Sequence, residues 1–356
     1  MSETKLPSAR ILGIETSCDE TAASVVEDGR IVLSNVVASQ AELHAKYGGV
    51  FPEVASRQHI KTIYTVVDEA LAQAHLSLDD VDAIAVTQGP GLPGSLVVGL
   101  NMAKGLALGS GKPLIGVHHL EGHLYSGWLD SSEDGEELAA EPEFPLLALL
   151  VSGGHSELVL MTDHLTYQRL GGTLDDAAGE AFDKVSRLLG LGYPGGPRIQ
   201  AAAEGANPSA FKFPRAWLEG TWNFSFSGLK TAVLHQVRKL RAELGENEED
   251  QNVDLPIADL AASFQMAVVD VLVTKARFAA QEFGAKELLV AGGVSANQAL
   301  REWISTDTPG RVHLPAIQYC TDNAAMIAAA GYYRFAHGHS SELSMDAKPT
   351  WPLSEL

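Results

Sequence analysis

The sequence predicts a mixed α/β protein built as two similar halves, and three observations predict it. Each half opens on an apolar strand, a small polar turn and a second apolar strand. These are RILGIE, TSCDET and AASVVED at 10–28, then PLLALLV, SGGHS and ELVLM at 145–161. Stretches with helical periodicity follow the strands in both halves. Three turns that leave apolar strands, GIETSCDET, VSGGHSE and AGGVSAN, consist largely of Gly, Ser, Thr and short acids.

Taken in order, IVLSNVVAS (31–39) continues the first hairpin as a third strand. Residues 55–76 place Ile60, Ile63, Val66, Val67, Ala70 and Leu71 on one helical face. AIAVTQG (83–89) reads as a strand, and the loop PGLPGS then precedes an apolar helix from Leu96 to Leu108. LIGV (114–117) is a strand that runs into HHLEGH (118–123). Residues 131–143 are acidic and poor in apolar side chains, which predicts a solvated linker. The second half is more helical, with AFDKVSRLLG, SGLKTAVLHQVRKLRAELG and DLAASFQMAVVDVLVTKARFAAQEFG, and GENEEDQNVD as a second acidic loop. KELLVAGGVSANQALREWI reads strand, glycine turn, helix, and RVHLPA is a further strand. Asp322 stands at the N-cap position of the helix NAAMIAAAGYYRFAHG. The last residues, SSELSMDAKPTWPLSEL, read as a weakly ordered tail. The expected domains are a first lobe at 1–130, a linker at 131–144, a second lobe at 145–336 with a helical insertion at about 175–255, and a tail at 337–356.

Composition narrows the function classes. The 356 residues are 46% hydrophobic and 20% charged, ordinary values for a globular chain with ample core. MSETKLPSAR lacks the apolar core of a signal peptide, and no apolar run reads as a membrane span. Two cysteines, Cys18 and Cys320, exclude a disulfide framework and suit a reducing cytoplasm. The net charge of −20 argues against nucleic-acid binding taken as a whole. Its distribution does not: nine basic residues between Lys184 and Arg241 face only Glu204 and Glu219. Phe211, Phe213, Trp217, Trp222, Phe224 and Phe226 lie among them. Bases interleaved with aromatics suit a nucleic-acid surface, and a basic solvated face over an aromatic core is the alternative.

The chemistry-bearing motif is HHLEGH. On a helix His119 and His123 share one face and can address one metal ion, given a third ligand from elsewhere. It is not the zincin H-E-x-x-H, because Leu120 occupies the place of the general base. The three glycine- and hydroxyl-rich turns offer backbone N–H groups to a phosphate or ribose. Three such turns at strand ends, in a duplicated layout, predict the actin-like ATPase (ASKHA) fold, two duplicated lobes around a central nucleotide cleft. Downstream, LGYPGGPRIQ adds Gly195 and Gly196, and Asp183 can bind a ribose, pair with Lys184 or cap its helix.

Together, GIETSCDETAASVV, FPEVASRQH, TQGPGLPGSLVVG, HHLEGH, LVSGGHSEL, DDAAGEAFDKVSRLLGLGYPGGP, FSFSGLKTAV, AGGVSANQALR and YCTDNAAMIAAAG resemble the TsaD family of tRNA threonylcarbamoyladenosine transferases. The resemblance implies that His119, His123 and Asp322 bind a divalent metal, iron favoured and zinc the alternative. It implies that Val151, Ser152, Gly153, Gly154 and His155 form the substrate hairpin, and that Asp183, Gly196 and Asn297 hold the adenosine part. Gln200 stands where some relatives carry an acid. The implied reaction moves a threonylcarbamoyl group from threonylcarbamoyl-AMP to N6 of adenine 37 in tRNAs that read codons starting with A, releasing AMP. Glu15 and Glu121 are candidate proton acceptors. Lys184, Arg187, Lys230, Arg238 and Arg241 are then candidate tRNA contacts, and a TsaB-type paralogue and a TsaE-type ATPase are the implied partners. A metalloprotease and an actin-like ATPase or kinase are the rival readings.

Overall fold

A computed structural model describes residues 6–130, 140–244, 255–308 and 310–356. Most of the acidic linker and the whole of GENEEDQNVD lie outside the described residues. The first half runs β1 (Arg10–Glu15), β2 (Glu20–Glu27), β3 (Ile31–Ser39), α1 (Ala41–Ala45), α2 (Pro52–Gln73), β4 (Ala83–Gly89), α3 (Pro93–Ser110), β5 (Leu114–His118) and α4 (His119–Tyr125). Next come β6 (Leu146–Val151), β7 (Ser156–Asp163), β8 (Thr166–Gly172), α5 (Ala178–Leu188), α6 (Gly195–Ala203), α7 (Ser227–Glu243) and α8 (Ile257–Glu282). The chain ends with β9 (Glu287–Ala291), α9 (Gln298–Asp307), β10 (Arg311–His313), α10 (Ile317–Cys320) and α11 (Ala324–Ala336).

The duplication is visible in the strand order. One sheet runs β3-β2-β1-β4-β5 and the other β8-β7-β6-β9-β10, so the first strand of each half lies central with its hairpin on one side. In the first sheet the hairpin pairs are antiparallel, while β1–β4 and β4–β5 are parallel. In the second, β6–β9 and β9–β10 are parallel. Parallel pairs need crossovers, supplied in the first half by α2 and α3, which is why apolar strands alternate with helices there.

The structure divides into two compact units. Unit 1 comprises 1–144, 161–168 and 315–356; unit 2 comprises 145–160 and 169–314. This differs from the expected boundaries, because α10, α11 and the C-terminal residues belong to unit 1. The reason is packing. Leu12 and Ile14 of β1 turn to the core shared with α2 and α3. Gly13, on the alternate face, meets α11 so closely that a Cβ there would lie 2.4 Å from the Ala324 carbonyl oxygen. The apolar helix α11 therefore covers the second face of the first sheet.

The expected weak tail is also corrected. Ser341 N–H donates to the Leu114 carbonyl (2.7 Å), Lys348 N–H to Gln88 (2.8 Å), and Gly91 N–H to Pro349 (3.1 Å). Trp351 and Leu353 are buried. These two apolar side chains and the pairing to β4 and β5 hold a segment whose composition reads as loop.

Unit 2 buries a larger core centred on α8, where Phe264 meets Phe182 edge to face at 5.2 Å. Contrary to the sequence reading, α8 is long and apolar enough to cross a membrane by length and composition, but it is mostly buried inside unit 2. The aromatics of the basic stretch belong to the same core: Phe213, Phe224 and Phe226 are buried, and Phe211 and Trp222 pack against them. Of the two readings of this stretch, the aromatic core beneath a basic face holds for these five rings, and the interleaved surface does not.

Candidate functional site

In unit 1, α4 begins directly where β5 ends. His118 caps it, with Nδ1 accepting the Leu120 N–H at 3.1 Å. One turn of helix puts the His119 and His123 rings 4.8 Å apart, edge to face. The third member comes from the far end of the chain. Asp322 Oδ1 lies 3.2 Å from His123 Nε2 and 3.6 Å from His119 Nε2. The expected capping role of Asp322 is corrected: Asn323 caps α11 by accepting the Met326 N–H at 3.1 Å. Its neighbour Asp322 is thereby turned to the histidines.

The three donors lie within 4.8 Å of one another. Two ligands each about 2.1 Å from a common metal sit roughly 3.0–3.5 Å apart, close to the two separations to Asp322. The far side of His119 supports the same reading. Its Nδ1 is 3.0 Å from Glu15 Oε2 and 3.1 Å from Ser17 Oγ. An imidazole that donates from Nδ1 to a carboxylate presents a lone pair at Nε2, the arrangement usual behind a metal-binding histidine. Burial alone would lower the His119 pKa, but the Asp322 and Glu15 carboxylates outweigh it and raise the value to about 9 without metal. His123 Nδ1 is buried without a hydrogen-bond partner, an orphaned polar atom in the cluster. Two imidazoles and a carboxylate fit a divalent first-row metal and leave coordination positions for a substrate.

The two candidate proton acceptors differ. Glu15 is fully buried. It accepts the Thr87 hydroxyl at 2.7 Å and the Ser17 N–H, and it contacts His119. Glu121 is corrected as a base. Arg334 of α11 donates Nε to its Oε2 (2.6 Å) and NH2 to its Oε1 (3.0 Å), and the Tyr167 hydroxyl donates to Oε1 at 2.7 Å. With both oxygens held in a buried ion pair, Glu121 fastens α4 to α11. Sequence reasoning missed Arg334, Tyr167, Ser17 and Thr87. Ser17 and Thr87 lie in segments already singled out, GIETSCDET and TQGPGLPGSLVVG, but Arg334 and Tyr167 carry no local signal, and all four acquire their roles by reaching residues distant in the chain.

Unit 2 carries the glycine turns. At the β6–β7 tip, Ser152 N–H donates to the His155 carbonyl (2.8 Å) and His155 N–H to Ser152 Oγ (3.2 Å). This closes the turn and leaves Gly153 and Gly154 exposed, with Val151 buried as the strand end. Of the three local roles weighed for Asp183, pairing with Lys184 and capping α5 are corrected. Lys184 pairs with Asp176 (2.6 Å) and Glu180 (2.7 Å), and α5 begins after Ala177. Asp183 Oδ1 instead accepts the Gly195 N–H at 2.6 Å, at the start of α6. A Cβ at Gly195 would approach Asp183 Cα to 2.5 Å, whereas Gly196 next to it faces open space. Asn297 caps α9 through Leu300 N–H (3.1 Å) and donates to Gln265 at 2.8 Å. Gln200 accepts the Gln298 N–H at 2.8 Å, so both side chains gather at the start of α9. In the last turn, Gly292 has φ +92° and lies so near Val151 that a Cβ would be 2.5 Å from its carbonyl oxygen. Of the candidate tRNA contacts, Arg238 is exposed, Lys230 and Arg241 are half-buried on α7, and Arg187 is exposed in the last turn of α5.

Fold and site define a protein of the actin-like (ASKHA) fold with two duplicated units and a histidine–histidine–aspartate cluster. Solved structures share the fold. The crystal structure of T. kodakarensis HypF matches with TM-score 0.59 at 14% identity, over 93% of this chain and 48% of that one. Full-length HypF in a phosphate- and nucleotide-bound form matches with TM-score 0.57 at 11% identity, over 93% of this chain and 46% of that one. This chain thus spans about half the length of HypF. The sequence match is more specific. The profile of TsaD, tRNA N6-adenosine threonylcarbamoyltransferase, matches residues 31–329, and the chain belongs to that family. The protein of that name from Thermomicrobium roseum is 55% identical, over 96% of both chains. Those of Dehalococcoides mccartyi (52%, over 96% of this chain and 98% of the relative) and Geobacillus kaustophilus (51%, over 96% of both) agree. The protein is an enzyme, a transferase.

Proposed function

We propose that His119, His123 and Asp322 hold one divalent metal ion, iron(II) favoured over zinc, while the chain carries out the family's reaction on tRNA. It transfers the threonylcarbamoyl group to N6 of adenosine and forms t6A. In our reading the donor is threonylcarbamoyl-AMP and the acceptor is adenine 37 of tRNAs reading codons that start with A. The N6 nitrogen attacks the carbamoyl carbon, the N–C bond forms, the bond from that carbon to the phosphate oxygen breaks, and AMP leaves with the electron pair as N6 loses a proton. The convergence of the two Nε2 atoms and Asp322 Oδ1 carries this reading.

A bound ion supplies Lewis acidity, neutralising charge on a phosphate oxygen. The protein's own groups do the rest. Glu15 holds the Nδ1 proton of His119 and so keeps Nε2 available. Backbone N–H groups at Gly153 and Gly154 offer donors to phosphate or to a developing oxyanion. Asp183, Gly196 and Asn297 are our adenosine contacts, with Gly196 leaving room for close approach. An exocyclic amine is a weak nucleophile, so positioning must supply much of the rate, and the base must leave its stack to be reached. We assign Lys184, Arg187, Lys230, Arg238 and Arg241 to the tRNA path. A TsaB-type paralogue and a TsaE-type ATPase are our partners, and the cytoplasm our location. The protease and kinase readings are not favoured.

The test combines wild-type protein, partner proteins, threonylcarbamoyl-AMP and unmodified tRNA, with the modified nucleoside read by mass spectrometry. Product from wild type and its loss in the His119→Ala, His123→Ala double variant are expected. No product from wild type, or full product from the double variant, defeats the proposal.

A further inference from the structure

The third histidine of HHLEGH has no part in the metal cluster, yet it is fully buried and doubly engaged. His118 Nδ1 faces the Leu120 N–H at 3.1 Å, and Nε2 faces the Trp351 carbonyl oxygen at 2.8 Å. A backbone N–H can only donate and a carbonyl can only accept. The two partners therefore fix one neutral tautomer, with the proton on Nε2 and the lone pair on Nδ1. The lone pair caps the helix whose first and fifth residues are His119 and His123. The proton ties that cap to the C-terminal segment.

That segment is built to hold its place. Ser341 Oγ accepts the Gly116 N–H at 3.0 Å, and Gln88 Nε2 donates to the Asp346 carbonyl at 2.9 Å. The Trp351 ring packs on His118 at 4.8 Å, and Lys348 Nζ lies 3.9 Å from the centroid of the same indole. A Cβ at Gly89 would lie 1.9 Å from the Lys348 carbonyl oxygen, so β4 admits the segment only because glycine stands there.

We infer that His118 is a positioning residue for the metal centre, and that the C-terminal segment sets its orientation through the Trp351 carbonyl and ring. The inference rests on the metal reading above. The segment holds the His118 ring, the ring holds the first turn of α4, and that turn aims both metal-binding imidazoles. A helix of seven residues is too short to keep its own ends fixed, so its cap acts with the Glu121–Arg334 pair and the Glu15 contact to His119 in setting where the two rings point.

The test uses the full-length protein, stripped of metal with a chelator and titrated with Co2+, whose visible absorption reports coordination geometry. Three variants are compared: His118→Ala, which removes both hydrogen bonds; His118→Asn, which keeps a capping acceptor but is too short for Trp351; and Trp351→Ala, which removes the ring. Thermal unfolding of each metal-free variant shows that it is folded. A direct hydrogen-bond partner of a metal-binding histidine typically changes affinity by about 10–100-fold, and His118, which acts through the helix backbone, is placed at the low end of that range. We expect His118→Asn to weaken Co2+ binding about tenfold or more and to shift its spectrum. Trp351→Ala should do so to a lesser degree, with little further effect in the His118→Asn background, because both act through one ring. Wild-type affinity and spectrum in His118→Asn overturn the inference, even if His118→Ala is weak, since capping alone then suffices. Wild-type protein that binds no Co2+ removes the metal reading and this inference together; wild-type binding with unchanged variants removes this inference alone.

Discussion

Replacing Arg334 by Met tests how α4 is fastened. Glu121 has no exposed side-chain surface and Arg334 only 15%. The pair is bidentate, at 2.6 and 3.0 Å. After the substitution one hydrogen bond remains to the carboxylate, from Tyr167 at 2.7 Å. Methionine fills much of the volume, so the loss is chiefly that of an ion left buried without its counter-ion. Breaking a buried pair in this way costs about 3–5 kcal/mol. At about 2–4 °C per kcal/mol for a unit of this size, Tm of the metal-free protein should fall by roughly 6–20 °C. Adding Glu121→Gln removes the stranded charge, and the double variant should be more stable than Arg334→Met alone. Differential scanning calorimetry reads both. A fall below about 3 °C, or a double variant no better than the single one, would refute the argument that this pair locks α4 to α11.

Other outcomes follow from the same structure. The His164 ring stacks on Tyr333 at 4.1 Å. Burial pushes its pKa down to about 4, with His337 adding and Asp163 opposing. An unfolded histidine titrates near 6.5, so on acidification the unfolded chain takes the proton first. The stabilising contribution is therefore complete above pH 6.5 and is lost as pH falls toward 4; His164→Phe should flatten the Tm profile in that window, and an unchanged slope counts against it. Gly13→Ala would place a Cβ 2.4 Å from the Ala324 carbonyl oxygen and 2.8 Å from Ala328 N, both backbone. Urea unfolding should show a loss of at least about 1 kcal/mol, and wild-type stability would contradict the close approach of α11. Reversing Lys230, Arg238 and Arg241 to Glu should weaken tRNA binding and flatten its salt dependence, by about 0.7–0.9 in log–log slope for each phosphate no longer neutralised. An unchanged slope takes these residues out of the tRNA path.

The elements themselves were legible because their signals are local. Alternating and helical spacings of apolar residues marked β1 to β5 and α2, α3, α7 and α8, and glycine or hydroxyl turns marked the strand ends. Boundaries moved by a few residues, as for α3, which begins at Pro93 because proline suits a first helical turn. Where local signals misled, a long-range partner was the reason. The C-terminal residues read as loose, since only docking to β4 and β5 orders them. By its local pattern alone Asp322 read as a cap, and only the family resemblance named it a ligand, since His123 lies 199 residues away. The aromatics at 211–226 left surface and core both open, since the core they join is completed by α8.

The sequence by itself determined the duplicated α/β architecture, the glycine turns and the spacing that puts His119 and His123 on one helical face. The family resemblance named Asp322 as their third ligand; only the tertiary structure decided the rest of their surroundings: Glu15 behind His119, Arg334 paired with Glu121 across 213 residues, and the Trp351 carbonyl on His118 across 233. Periodicity and turn chemistry act between residues a few positions apart. A buried charge or ring nitrogen is satisfied by whatever the folded chain brings to it, and no local pattern records which residue that will be.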